Sequence, residues 1–253
     1  MAYRDSTTAS GATTTPAVAV PSGAASGDIV ILVATTDQVE AAFDTADWPT
    51  GFTELAEVNI ALDGQSVAVG WKRLTGSDSG SYTFGTVGTG TPDWVCQAFA
   101  FSGRHATDPP VATSATSDSG NTNPVTVTAT GVTAVAGDDL LWISAPDVDG
   151  TGRGNGHTAP TNYTECEDAE NAWSNLSGAY RNNASAGATG NIAGTFALSS
   201  GAAGWAAFLV RIPAAGSAFT ETVTDSVGVT DARTPVAAYS RTQAEALRVT
   251  DAR

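Results

Sequence analysis

Lysine and methionine occur once each in these 253 residues, histidine and cysteine twice each, and every one of these scarcities removes a class of protein. Two histidines, His105 and His157, both expected in loops, are too few for a multi-histidine metal site. Two cysteines cannot staple a disulfide framework. Cys96 and Cys166 also fall at non-equivalent places in a chain that repeats itself, so the repeat gives no reason to pair them. Basic residues are few: 11 against 26 acidic ones, for a net charge of −15 and a pI near 4.2. Such a surface repels phosphate backbones, so nucleic acid is not an expected partner. No apolar run approaches the roughly 20 residues of a spanning helix, and no signal segment opens the chain. Neither a membrane nor a secretory route is expected.

What is present in quantity is apolar strand material, at 42% of residues, and it comes twice. The stretch Gly27-Asp28-Ile29-Val30-Ile31-Leu32-Val33-Ala34 returns 110 residues later as Gly137-Asp138-Asp139-Leu140-Leu141-Trp142-Ile143-Ser144. Trp48-Pro49-Thr50-Gly51-Phe52-Thr53-Glu54 returns as Ala159-Pro160-Thr161-Asn162-Tyr163-Thr164-Glu165. The strand Trp94 to Phe101 returns as Trp205 to Ile212, and Gly70-Trp71-Lys72-Arg73 loosely as Gly178-Ala179-Tyr180-Arg181. An internal period fixes architecture before any local propensity does. Short strands at regular spacing, separated by Gly, Pro and Asp turns, predict an all-β protein: an antiparallel two-sheet β-sandwich, jelly-roll-like, with each half giving strands to both sheets. The halves span 13–101 and 124–212, joined by a connector at 102–122, within one domain at 1–214. Residues 1–15, polar and rich in Ser and Thr, allow a short strand at their start, and residues 38–47 read as a short helical turn.

After Pro213-Ala214-Ala215-Gly216-Ser217 the pattern changes. Residues 215–253 form a C-terminal tail in which Val-Thr-Asp occurs three times and Val-Thr-Asp-Ala-Arg twice. Its charge is nearly balanced, with four arginines against five acids, whereas 1–214 holds seven bases and 21 acids. Val223, Val227 and Val229 would share one face of a strand. With too few apolar residues to fold alone, the tail is expected to order only against another surface. Val223, Asp225, Val227, Val229, Asp231, Arg233, Leu247, Val249, Asp251 and Arg253 are its candidate assembly residues.

Chemistry-bearing motifs are sparse. Asp147-Val148-Asp149-Gly150 alternates carboxylates before a glycine turn, as calcium loops do. The further ligands and the closing Glu are missing, so Asp147 and Asp149 are weak metal candidates and a solvated glycine loop is the stronger reading. Gly152-Arg153-Gly154-Asn155-Gly156 lacks the strand and helix a phosphate-cradling loop needs. No nucleophile elbow accompanies the serines and histidines, so no enzyme is expected, and no cofactor. Six tryptophans could stack on sugars, but Trp48, Trp71, Trp94, Trp142 and Trp205 sit in or beside predicted strands, where core packing accounts for them.

Taken in order, Gly27-Asp28 before an aliphatic strand, Trp48-Pro49-Thr50-Gly51-Phe52-Thr53, Val67-Ala68-Val69-Gly70-Trp71-Lys72-Arg73, Ser81-Tyr82-Thr83-Phe84 and a last Trp-rich strand ending Ile212-Pro213 carry a resemblance. Residues 10–213 look like the β-sandwich virion proteins of tailed bacteriophages of actinobacterial hosts, and the tail is similar to the Val-Thr-Asp-Ser repeats that follow such domains. The resemblance implies a structural role in the particle without catalytic residues, as a minor tail or tail-fibre component, with a head-decoration or head-fibre protein as the alternative. Its expected partners are other virion proteins of tail or capsid and further copies of itself, a homotrimer in our reading. The alternative of another class is a carbohydrate-binding module that attaches to a host glycan through exposed aromatics and the loop from Asp147 to His157.

Overall fold

The computed structural model describes residues 3–38, 43–44, 47–60, 64–76, 78–117, 123–147, 156–171, 173–197 and 204–215. All of its regular structure is β, in antiparallel sheets. The first half builds one five-stranded sheet from β1 (Tyr3–Ala12), β3 (Ile29–Thr36), β4 (Thr53–Ile60), β5 (Gln65–Arg73) and β7 (Asp93–Phe101), in the order β1-β7-β3-β5-β4. The second half builds another from β8 (Val111–Ser117), β11 (Asp139–Pro146), β13 (Thr164–Glu170), β14 (Asn175–Arg181) and β17 (Trp205–Ile212). Its order, β8-β17-β11-β14-β13, is the same topology strand for strand.

Three expectations are corrected by this arrangement. The halves do not share strands between the two main sheets; each half makes its own sheet, and the sheets then pack face to face. The repeat is also longer than the sequence suggested. β8, inside the expected connector, is the counterpart of β1, which lies upstream of residue 13. Both are polar strands without a hydrophobic face, so alternation revealed neither the length of β1, read as a short strand at the start of 1–15, nor the presence of β8. The echo of Gly70 to Arg73 in Gly178 to Arg181 is out of register by one residue as well. Trp71 pairs with Ile31, and Tyr180 pairs with Leu141, the residue 110 after Ile31, so Trp71 matches Tyr180 and Gly70 matches Ala179. A one-residue slip would put these side chains on opposite faces.

The central strands are apolar on both faces because both faces are covered. Inward residues Ile29, Ile31, Val33, Val67, Val69, Val95 and Phe99 meet Leu141, Ile143, Leu176, Phe208, Val210 and Ile212 of the other sheet, all fully buried. Each such side chain contributes about 1.5–3 kcal/mol of transfer free energy. Edge strand β1 packs against β13, and β8 against β4, so each half closes one side of the other. Gln97 lies buried within this interface, where its side-chain amide donates to the carbonyls of Glu167 (2.7 Å) and Leu176 (3.2 Å). Glu167 sits in the β13 bulge between Glu165 and Asp168, so Gln97 satisfies an acceptor that the bulge takes out of the ladder.

The outward faces carry separate covers. Over the first sheet lie β2 (Ala17–Ala19) paired with β6 (Ser81–Thr83), and the aromatics Phe43, Trp48 and Phe84. Over the second lie β9 (Val125–Ala129), β16 (Ile192–Phe196) and β12 (His157–Thr158), with β10 (Thr133–Ala134) paired to β15 (Gly187–Ala188). Most of 38–47, read from sequence as a helical turn, lies outside the described residues.

Candidate functional site

The two Gly-Asp turns form the same joint in both halves. Asp28 Oδ2 accepts from the Ala25 N–H at 2.8 Å, and Asp138 Oδ2 from the Val135 N–H at 2.7 Å. Each aspartate also binds an arginine, Arg4 at 2.9 Å from Asp28 and Arg211 at 2.8 Å from Asp138. The duplicated Gly-Asp of the sequence is therefore a structural turn lock.

The second joint carries more. Asp138 Oδ1 accepts from the Ala214 N–H at 2.9 Å, fixing the last residues of the body. Asp139, where the first half has Ile29, is fully buried and lies 3.1 Å from the equally buried Arg104. That approach is a contact between charges, while the Arg104 Nε–H donates to the Ser102 carbonyl and Asp139 Oδ1 accepts from the Asn183 N–H. Burial pushes the Asp139 carboxyl above its ordinary range, and the Asn183 bond and the Arg104 charge oppose that push. Arg104 bridges to Ala214, and the His105 N–H donates to the Pro213 carbonyl at 3.0 Å. Two acids and two arginines thus clamp the point from which residues 215–253 continue. The sequence named none of these four as site residues; the doubled aspartate of Gly137-Asp138-Asp139, where Gly27-Asp28 has one, was the available signal.

The opposite end of the sandwich carries the weak metal candidate. Asp147 is buried, bridged to Ser174, with its N–H donating to the Gly204 carbonyl at 2.9 Å. It repeats Asp37, whose N–H donates to Asp93 at 3.1 Å and whose carboxyl is raised by burial and then by Asp93. Asp149 lies outside the described residues, as do residues 148–155. No group of three or more His, Cys, Asp or Glu able to hold a metal comes together among the described residues. His157 is in β12 and buried, not in a loop, against Phe196 at 4.6 Å between ring centres. Burial holds its imidazole down to about 4, although nearby Asp168 pulls the other way. Cys96 and Cys166 are both free, and burial pushes the Cys166 thiol up to about 12.

Of the tryptophans, Trp48, Trp94, Trp142 and Trp205 are buried and Trp71 half-buried against the core, as expected from sequence. Trp173, which sequence reasoning left unassigned, is 45% exposed in the turn between β13 and β14. Val223, Asp225, Val227, Val229, Asp231, Arg233, Leu247, Val249, Asp251 and Arg253 all lie outside the described residues.

Fold and joints together define an all-β protein, a duplicated antiparallel β-sandwich in which β17 is pinned at its C-terminal end. Comparison of the chain with protein-family models, with curated proteins and with solved structures finds no match. Among the described residues, no helix is long and apolar enough to cross a membrane.

Proposed function

We propose that this chain is a non-enzymatic structural protein of a tailed-bacteriophage particle, a minor tail or tail-fibre component that docks through residues 215–253. The observation that supports this most is the clamp at Asp138, Asp139, Arg104 and Arg211. Two buried acids and two arginines are spent on fixing Ala214, the residue from which the Val-Thr-Asp repeats continue. A fixed exit suits a body that must transmit position or load to a docking segment. Head decoration is the alternative location, using the same segment. The test is labelled-antibody localisation on intact particles. Label confined to the tail supports the reading, label spread over the head moves the protein to decoration, and absence of label overturns both.

A second reading has one observation of its own. The indole of Trp173 is exposed on a turn, and an exposed ring is the surface a sugar stacks on. As a carbohydrate-binding module for host attachment, the protein would bind a glycan array and lose that binding in Trp173→Ala. Silence of the wild-type chain on the array would remove this reading.

A further inference from the structure

The halves meet as the two subunits of an isologous dimer meet. β1 of the first half packs on β13 of the second, and β8, the counterpart of β1, packs on β4, the counterpart of β13. β7 likewise approaches β13, and its counterpart β17 approaches β4. Contacts that come in such exchanged pairs belong to a two-fold interface, in which each side offers the same patch. Here the two-fold is approximate and both sides come from one chain. The surface between them is the inner core, fully buried at Ile31, Val33, Leu141 and Ile143.

Size and polarity decide which half fits which. Phe99 lies over Gly178, where an added Cβ would fall within van der Waals overlap of its ring. The register matches Phe99 with Val210 and Gly178 with Val69. Two copies of the first half would therefore set Phe99 against Val69, with no glycine to receive the ring. Gln97, which spans the interface to the Glu167 and Leu176 carbonyls, is matched by Phe208. A first half thus takes a second half and disfavours another first half.

One short segment decides whether that second half is its own. The chain passes from β7 to β8 through residues 102–110, of which Ser102 and Arg104 are buried and Arg104 meets Asp139. Beyond them residues 106–109 are exposed, and the Thr107 and Asp108 N–H groups donate to His105 Nδ1 at 3.4 and 3.0 Å. This turn is held to itself. The two prolines of Asp108-Pro109-Pro110 favour an extended path over a return. A short hinge between two complete packing units is where exchange between chains costs least.

We propose that this chain exchanges halves with a second copy of itself. The turn at 105–109 opens, each first half docks on the second half of the other copy, and a closed dimer of two sandwiches results. The contacts between first and second half, Arg104 with Asp139 included, are kept in the exchanged form, and the His105 turn alone is given up. The proposal stands apart from the role assigned to residues 215–253.

The test uses the full chain purified alone. It is unfolded in guanidinium, refolded from dilute and from concentrated solution, and its mass is read by sedimentation. Concentrated refolding should yield a species of two chain masses that persists on dilution, and dilute refolding one chain mass. In a variant where a protease recognition site of equal length replaces residues 106–109, cutting the two-chain species should halve its mass. The resulting particles should hold both fragments and keep the far-ultraviolet dichroism of the uncut chain. A two-chain species that keeps its mass after cutting is joined by another surface and overturns the proposal. So does a chain that refolds to one chain mass at every concentration, or a cut chain whose fragments separate.

Discussion

The two halves share a topology yet fill their outer layers in opposite ways. In the first half the bulk sits in the cover: Trp48 lies against Gly70 of β5, where an added Cβ would fall 2.5 Å from the indole. In the second half the bulk sits on the sheet: Trp142, on central strand β11, lies against Gly194 of the cover, where an added Cβ would meet it at 2.7 Å. The matched positions exchange size, Trp48 for Ala159 and Leu32 for Trp142. In both halves a tryptophan fills the space over a glycine, while the layer that supplies it changes, as close-packed interiors permit when volume is kept. The same contrast holds at the joint, where apolar Ile29 becomes Asp139 and brings Arg104 with it. The second half accepts an ionic core position beside Ala214; the first half, which has no chain exit to hold, stays apolar there.

A large effect is expected from breaking the size exchange. Trp142→Leu, which restores the first half's residue, should cost roughly 3 kcal/mol by leaving a cavity against Gly194. Adding Ala159→Trp should return part of that loss, measured by chemical denaturation of both variants. Additivity instead of rescue would show that the two positions do not trade volume.

Next is the clamp. Arg104→Met alone leaves Asp139 buried without its partner and should cost about 3–5 kcal/mol, whereas Arg104→Met with Asp139→Ile, the first half's chemistry, should come within about 1 kcal/mol of wild type. Equal losses in single and double variants would contradict the account of this pair.

The halves also titrate in opposite senses. Burial, then Glu54 and Asp44, raise the Glu57 carboxyl to about 7. The stability it contributes is complete below its ordinary value near 4.5 and is lost as pH rises through about 7. His157 is depressed to about 4, so its contribution is complete above about 6.5 and is lost as pH falls toward 4. Between about pH 4.5 and 6.5 the two slopes offset one another. Glu57→Gln should leave a net gain of stability with rising pH across that window, and His157→Phe a net loss. The amplitude is about 1 kcal/mol for the half-exposed Glu57 and larger for the buried imidazole. Melting temperature against pH for the two variants checks the signs.

Smallest is Trp173→Ala. An exposed indole in a turn should change stability by under about 0.5 kcal/mol, so any loss of glycan binding in that variant reads the surface and not the fold.

How legible was this molecule from its residues? The apolar strands were, because Ile29 to Val33 and Leu140 to Ile143 announce burial on both faces and the Gly-Asp turns before them recur. β8 was not, and β1 only as a short strand at the start of 1–15, since Tyr3–Ala12 and Val111–Ser117 carry polar and small residues whose pairing is set by β7 and β17. Nor was the allocation of halves to sheets, because a repeat fixes the order of strands without saying which sheet each joins. At the exit, Asp138 was visible as a turn residue, but Arg104 is far from it in sequence and meets Asp139 only through the fold. Asn162 shows how equivalence hides: it keeps the left-handed backbone of Gly51, with φ of 67° against 85°, and Asn is among the few other residues that tolerate it.

The most direct test of the central claim, that a self-sufficient body presents a docking segment at a clamped exit, is particle incorporation of a chain ending at Ala214 beside the full chain. The account predicts that the shortened chain melts within a few degrees of the full chain and is missing from purified particles. Incorporation equal to that of the full chain would contradict it.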